Sequence, residues 1–240
     1  MEKKRFTDFK EGMLSGIPIM LGYFSVSFGV GILAHQAGMS VFSAALLSAT
    51  NLTSAGEVAG IDIIASHGSY IEMAITQFVI NFRYVLMGLS LTQRTDKNFN
   101  LPHRMIASFG ITDEIFALLI GHNRKISPWF TYGVIILPLI GWTSGTALGA
   151  AVGSILPESI TNALGILLYG MFVAIIIPPA KKDRRIILAV VLAAIFSSCF
   201  KFLMPFVTGG FAVIISSVLA AVLLAIFFPI SEKEIEEEGR

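Results

Sequence analysis

The sequence predicts an all-α integral membrane protein, and three observations predict it. Of its 240 residues 55% are hydrophobic, with a mean hydropathy of +0.78, where a soluble domain is about half apolar and a quarter charged. Charged residues are only 14%, and they gather at the ends: seven lie in the first eleven residues and seven follow Ser231. Between them run eight apolar segments, 13–34, 40–66, 70–92, 105–121, 129–153, 159–179, 186–204 and 208–229, most of them near the roughly 20 helical residues that cross hydrocarbon.

The same numbers exclude other classes. Lys+Arg at 17 against Asp+Glu at 16 leaves no basic excess for nucleic acid. No G-x-x-x-x-G-K-[ST] loop is present, which argues against direct ATP hydrolysis. The single cysteine, Cys199, forms no internal disulfide and no multi-cysteine metal site. His35, His67, His103 and His122 show no helical ligand spacing, so no metal, no cofactor and no catalytic residue is assigned.

The first segment follows Lys3, Lys4 and Arg5 and is too long for a signal-peptide core, so it reads as a retained span behind a cytoplasmic segment 1–12. Segment 40–66 holds Asn51-Leu-Thr-Ser-Ala-Gly-Glu57 in its middle, where Ser54-x-x-Glu57 matches a capping box, the mark of a helix that begins there. Segment 70–92 carries Glu72 near its start, read as an interfacial charge. It also carries Arg83 deep inside, with Gln77, Asn81, Tyr84 and Gly88 along one helical face. Segment 105–121 breaks at Gly110-Ile-Thr-Asp-Glu114, again a cap-type Thr followed by first-turn acids. Segment 129–153 repeats Gly141, Gly145, Gly149 and Gly153, a flat strip for close helix packing. An echo between Ile17-Pro18-Ile-Met-Leu-Gly22-Tyr23 and Leu137-Pro138-Leu-Ile-Gly141-Trp142 suggests an internal repeat, a common transporter feature.

Positive residues orient the spans. Lys3, Lys4, Arg5 and Lys10 place the N-terminus in the cytoplasm, and Lys181, Lys182, Arg184 and Arg185 do the same for the connector before segment seven. Eight full spans would put Arg94, Lys97 and Arg104 outside. Six full spans plus two broken or re-entrant segments, 40–66 and 105–121, bring that connector inside. Both schemes keep the C-terminal acidic tail 231–240 in the cytoplasm, and both treat 1–240 as one transmembrane transporter domain.

Seven charges fall within apolar segments: Glu57, Asp62, Glu72, Arg83, Asp113, Glu114 and Lys201. A buried ion costs about 2.5–3.5 kcal/mol on insertion scales for Asp, Lys or Arg at a helix centre, so each is paired, interfacial or functional. Lys201 and Asp62 sit late in their segments and reach the interface. Arg83 has two acidic candidates for a partner, Asp113 and Glu114. A helix starting at mid-membrane points N–H groups and its positive dipole end at an anion. Thr53, Ser54, Gly56 and Glu57, with Asn81, are therefore candidate substrate-binding residues, and Arg83, Asp113 and Glu114 candidate coupling or electrostatic residues. A capped structural kink at 53–57 and a purely structural Arg83 bridge remain the plain alternatives.

With these residues in view, the chain resembles the AzlC family of bacterial branched-chain amino acid permeases. The stretches that carry the resemblance are Gly16-Ile-Pro18 with Ser27-Phe28-Gly29, Leu52-Thr-Ser-Ala-Gly-Glu57, Val79-Ile-Asn81-Phe-Arg83-Tyr84-Val-Leu-Met87, and Thr112-Asp113-Glu114-Ile-Phe116-Ala117. All lie in the first 120 residues. Glu57 stands where the family usually has Gln, and Tyr84 where it often has His. The resemblance implies a bacterial cell-membrane exporter of branched-chain or similar amino acids, driven by an ion gradient, with a small AzlD-type membrane partner. Two other classes compete: a non-transporting accessory subunit, and an intramembrane enzyme using Asp113 and Glu114 as an acid pair. Adjacent helical positions diverge by about 100°, which disfavours the acid pair.

Overall fold

The computed structural model describes residues 2–153, 183–204, 206–207 and 209–228, with isolated positions 155, 159, 173, 177, 180 and 181. Most of predicted segment 159–179, Lys182 of the basic connector and the tail 231–240 lie outside the described residues. The described residues are helical, joined by turns and one isolated parallel bridge between Thr95 and Ile126. In chain order the helices are α1 (Glu2–Gln36), α2 (Val41–Thr50), α3 (Ala55–Ala65), α4 (Tyr70–Asn81), α5 (Arg83–Thr92), α6 (Leu101–Phe109), α7 (Asp113–Ile120), α8 (Pro128–Val152), α9 (Arg184–Leu203) and α10 (Gly209–Phe227). Three of them, Lys3–Gln36, Pro128–Val152 and Arg184–Leu203, are long and apolar enough to cross a membrane, and α4 with α5 makes a fourth if counted as one bent span.

The chain forms two compact units. One holds residues 1–66 and 80–168; the other holds 67–79 and 169–240, in which α9 packs on α10.

In the first unit α1 and α8 form a tight pair whose contacts are set by glycine. A Cβ at Gly12 would strike the backbone of Phe130, one at Gly141 that of Met20, one at Gly145 that of Phe24, and one at Gly149 that of Phe28. Lipid supplies no hydrophobic drive between helices, so such small-residue strips let backbones approach and gain dispersion contact. The contact partners rise in number together along both helices, so the pair is parallel. The sequence echo around Pro18 and Pro138 thus falls on two helices that run side by side, each with its proline inside the helix.

Both predicted breaks are present. Segment 40–66 is interrupted between Thr50 and Ala55, and segment 105–121 between Phe109 and Asp113. Asn100 caps α6, accepting from the His103 N–H with Pro102 in the first turn, so this helix starts earlier than its apolar run. Gly110 stands at its C-terminal cap, where a Cβ would collide with the side chain of Ile135. Segment 70–92, expected to be continuous, is instead interrupted at Phe82. That residue keeps helical dihedrals, φ −56° and ψ −32°, and carries no breaker chemistry.

The two ends of α6–α7 meet. Arg94 donates to the carbonyls of Ile120 (3.2 Å) and His122 (2.6 Å), the Asp96 N–H donates to Ile126, and Lys125 Nζ donates to Gln93. A cavity of about 360 Å³ at this end is lined by Lys4 and Arg5 of α1, Lys97 and Asn100 of the connector, and Trp129 of α8. The connector 93–104, the start of α8 and the N-terminus therefore share one end of the unit, and α6–α7 leaves that end and returns to it. Beneath them Leu91, Phe99, Ile111, Ile115, Leu119 and Ile126 belong to one buried apolar cluster.

Candidate functional site

The two broken segments deliver two helix N-termini, at Ser54 for α3 and Thr112 for α7. The first turn of each helix has N–H groups without intrahelical partners and the positive end of its dipole. A pair of aromatic side chains from the tight α1–α8 pair stands between them. Tyr23 and Trp142 pack edge to face, with ring centroids 5.2 Å apart at 72°.

On one side Trp142 Nε1 donates to Glu57 Oε2 at 2.6 Å. The other carboxylate oxygen of Glu57 is bonded to the Ser48 hydroxyl of α2, which lies 2.7 Å from the hydroxyl of Thr146 on α8. Ser48 has one proton, so a consistent order of donation runs from Thr146 to Ser48 to Glu57. Glu57, Ser48 and Thr146 are fully buried and Trp142 is nearly so. A carboxylate in such a place is tolerable only when donors meet it, and here donors from two other helices meet both oxygens.

On the other side the Tyr23 hydroxyl lies 2.5 Å from both Thr112 Oγ1 and Glu114 Oε2. With one proton to give, it donates to the carboxylate and accepts from Thr112. Asp113, one residue along, points elsewhere and pairs with Arg83 of α5 at 2.5 Å. The Arg83 guanidinium also lies over the Tyr84 ring, 5.0 Å from its centroid. Both members of the pair are partly exposed, 39% for Arg83 and 29% for Asp113. The adjacent acids thus serve different partners, as their angular separation on a helix requires, and do not converge on one centre.

The two N-termini are built differently. Thr112 is a working cap, with extended backbone and its hydroxyl accepting from the Ile115 N–H. Ser54 corrects the capping-box expectation. It occupies the cap position, yet its side chain makes no cap bond, and Glu57 turns to Trp142 and Ser48 rather than back toward Ser54. Ser54 adopts φ +53°, ψ −88°, a conformation that L-residues rarely adopt, and its buried hydroxyl has no hydrogen-bond partner among the described residues. Thr53 bonds within its own loop, to Asn51 Oδ1 at 2.7 Å. Gly56 is buried in the first turn of α3, and Asn81 is partly buried at the end of α4.

Glu72, in the first turn of α4, is buried, 2% exposed. Asp62 and Lys201 are exposed. Among the described residues no group of three metal-ligating side chains gathers. Sequence reasoning missed Tyr23, Ser48, Trp142 and Thr146. A usable signal was present, because an indole N–H and a carboxylate that both lie in apolar segments each need a partner.

Comparison with known proteins fits this architecture. A family model described as AzlC protein matches residues 18–156. The chain is 26% identical to "Inner membrane protein YgaZ" of Escherichia coli, over 82% of this chain and 83% of that one. It is 29% identical to an uncharacterized membrane protein of Archaeoglobus fulgidus, over 72% and 76%. It is 23% identical to "Branched-chain amino acid transport protein AzlC" of Bacillus subtilis, over 74% and 70%. No solved structure matches.

Proposed function

The chain belongs to the AzlC family of membrane proteins, and from that premise we propose that it is a secondary transporter exporting branched-chain or similar small apolar amino acids, driven by the proton gradient. The observation that carries the proposal is the pairing of two helix N-termini, at Ser54 and Thr112, across Tyr23 and Trp142. Helices that begin inside an apolar layer present N–H groups and a positive dipole end to an anion, the arrangement by which broken transporter helices hold a substrate carboxylate. In this reading Thr53, Ser54, Gly56, Glu57 and Asn81 surround the substrate, while Arg83, Asp113 and Glu114 set the field and carry the coupling. The name of the Bacillus subtilis relative supports the substrate class.

The protein sits in the bacterial cytoplasmic membrane with both termini inside, and works with a small AzlD-type membrane partner. Six spans cross fully and two segments are re-entrant. Parity supports this. The chain leaves α1 at the end remote from the N-terminus and is back at the N-terminal end by residue 93, so one of α2–α3 and α4–α5 crosses and the other returns. The pair α4–α5 has the length and apolarity of a span, which makes α2–α3 the re-entrant one, beside α6–α7. In a Cys199→Ser background, Asn98→Cys is expected to stay unlabelled by an impermeant thiol reagent outside intact cells; ready labelling would reject this topology.

The test of function is efflux of preloaded radiolabelled leucine, valine and isoleucine from cells expressing the chain, with and without the small partner, before and after the proton gradient is collapsed. Faster, gradient-dependent efflux is expected. Unchanged efflux despite correctly inserted protein would reject branched-chain export and favour an accessory role.

A further inference from the structure

A cavity of about 270 Å³ lies beside the candidate site, in the first unit. Its wall is apolar, formed by Val85, Gly88 and Leu91 of α5, Phe99 of the connector, and Ala107 and Ile111 of α6 and its break. Two of these residues tie it to the site by chain continuity: Val85 follows Tyr84, and Ile111 precedes Thr112. At the opposite end Thr95 and Arg104 reach the N-terminal end of the unit, where Arg104 Nε donates to the Phe99 carbonyl at 3.0 Å. The cavity thus runs from that end to Ile111, in the break before α7.

We propose that this cavity receives the aliphatic side chain of the transported amino acid, and that Gly88 sets the largest side chain admitted. The inference rests on the transport reading above and adds to it the place and the limit of side-chain recognition. A zwitterionic amino acid needs a polar place for its head and a dry one for its tail. The site between the helix N-termini at Ser54 and Thr112 supplies the first, and an apolar wall that begins at Ile111, one residue before Thr112, supplies the second. Branched aliphatic chains suit such a wall, because they gain from leaving water and leave no hydrogen-bonding group unsatisfied. Gly88 is the controlling position because a Cβ built there meets nothing within 4 Å. The glycines facing α1 or α8 have no such freedom: at Gly141 or Gly149 an added side chain strikes backbone. A Cβ at 88, a position that lines the cavity, therefore enters open space without striking a neighbouring helix.

The test compares efflux of leucine, valine and 2-aminobutyrate from cells carrying the wild-type chain, Gly88→Ala and Gly88→Leu, each normalised to protein in the membrane. Gly88→Leu is expected to lower leucine efflux about tenfold relative to 2-aminobutyrate, the scale of losing room for one or two methylenes, with Gly88→Ala intermediate. Gly88→Ala carries the comparison alone if Gly88→Leu fails to accumulate, the expected sign being the same. Unaltered leucine preference in an inserted variant would overturn the proposal, as would an equal loss for all three substrates, the result expected if a lipid chain fills the cavity. A wild-type chain that exports none of the three rejects the transport reading and this inference with it, whereas wild-type export with indifferent Gly88 variants rejects this inference alone.

Discussion

The broken segments α2–α3 and α6–α7 are alike in plan and opposite in finish. Each enters the apolar layer, stops, and starts a second helix with acids in its first turn. At α7 the start is closed: Thr112 caps the Ile115 N–H, Tyr23 joins Thr112 to Glu114, and Asp113 is paired with Arg83. At α3 the start is open. Glu57 is tied away to α2 and α8, while Ser54 holds a rare backbone conformation and a buried hydroxyl without a partner among the described residues. Strain and unmet polar groups persist only where surrounding structure imposes them, and they gather at ligand sites. In the transport reading proposed above, the α7 end is the fixed wall of the site and the α3 end the part that a substrate completes.

Substitutions at four positions probe that contrast, and Glu57→Ala is expected to do most harm. It strips the acceptor from Trp142 Nε1 and Ser48 in a fully buried place, a loss of about 3 kcal/mol or more, read as a fall in folded protein recovered from the membrane. Glu57→Gln keeps an acceptor for Trp142 and is expected to accumulate normally; equal failure of both would mean that the negative charge itself holds α2 and α3 to α8.

Thr112→Ala comes next. It removes a cap and the Tyr23 partner, worth about 1–2 kcal/mol, and is expected to lower the melting temperature. Ser54→Ala, at the corresponding position, breaks no hydrogen bond, so its melting temperature is expected to stay within the about 0.5 kcal/mol of a neutral substitution while efflux declines. Equal destabilisation by the two would erase the distinction between closed and open ends.

Arg83→Ala is also expected to have a small effect on stability. Its ion pair with Asp113 is partly exposed, and such pairs contribute about 0–1 kcal/mol. Near-normal abundance with lost efflux is expected. Lost abundance would make Arg83 a structural bridge.

Both breaks were legible in the sequence because they carry chemical punctuation: Asn51, Ser54 and Gly56 in one, Gly110 and Thr112 in the other. The bend at Phe82 was not, since a residue with helical dihedrals and an aromatic side chain leaves no mark in the sequence. Arg83 announced its need for an acid, and of the two within reach the structure selects Asp113. The capping box misled because Ser54-x-x-Glu57 specifies only local options. The indole of Trp142 and the hydroxyl of Ser48, distant in sequence from one another, outcompeted the local bond. Tyr23, Ser48, Trp142 and Thr146 stayed hidden for a related reason: each sets one polar atom in an otherwise apolar run, which periodicity reads as core.

The central claim, that the paired helix N-termini hold the carboxylate of an amino acid, is tested most directly by thermal stabilisation of the purified protein with leucine and with leucinol, which has the same side chain and amine but no carboxylate. Leucine is expected to raise the melting temperature and leucinol to leave it unchanged. Equal stabilisation by the two would contradict the claim.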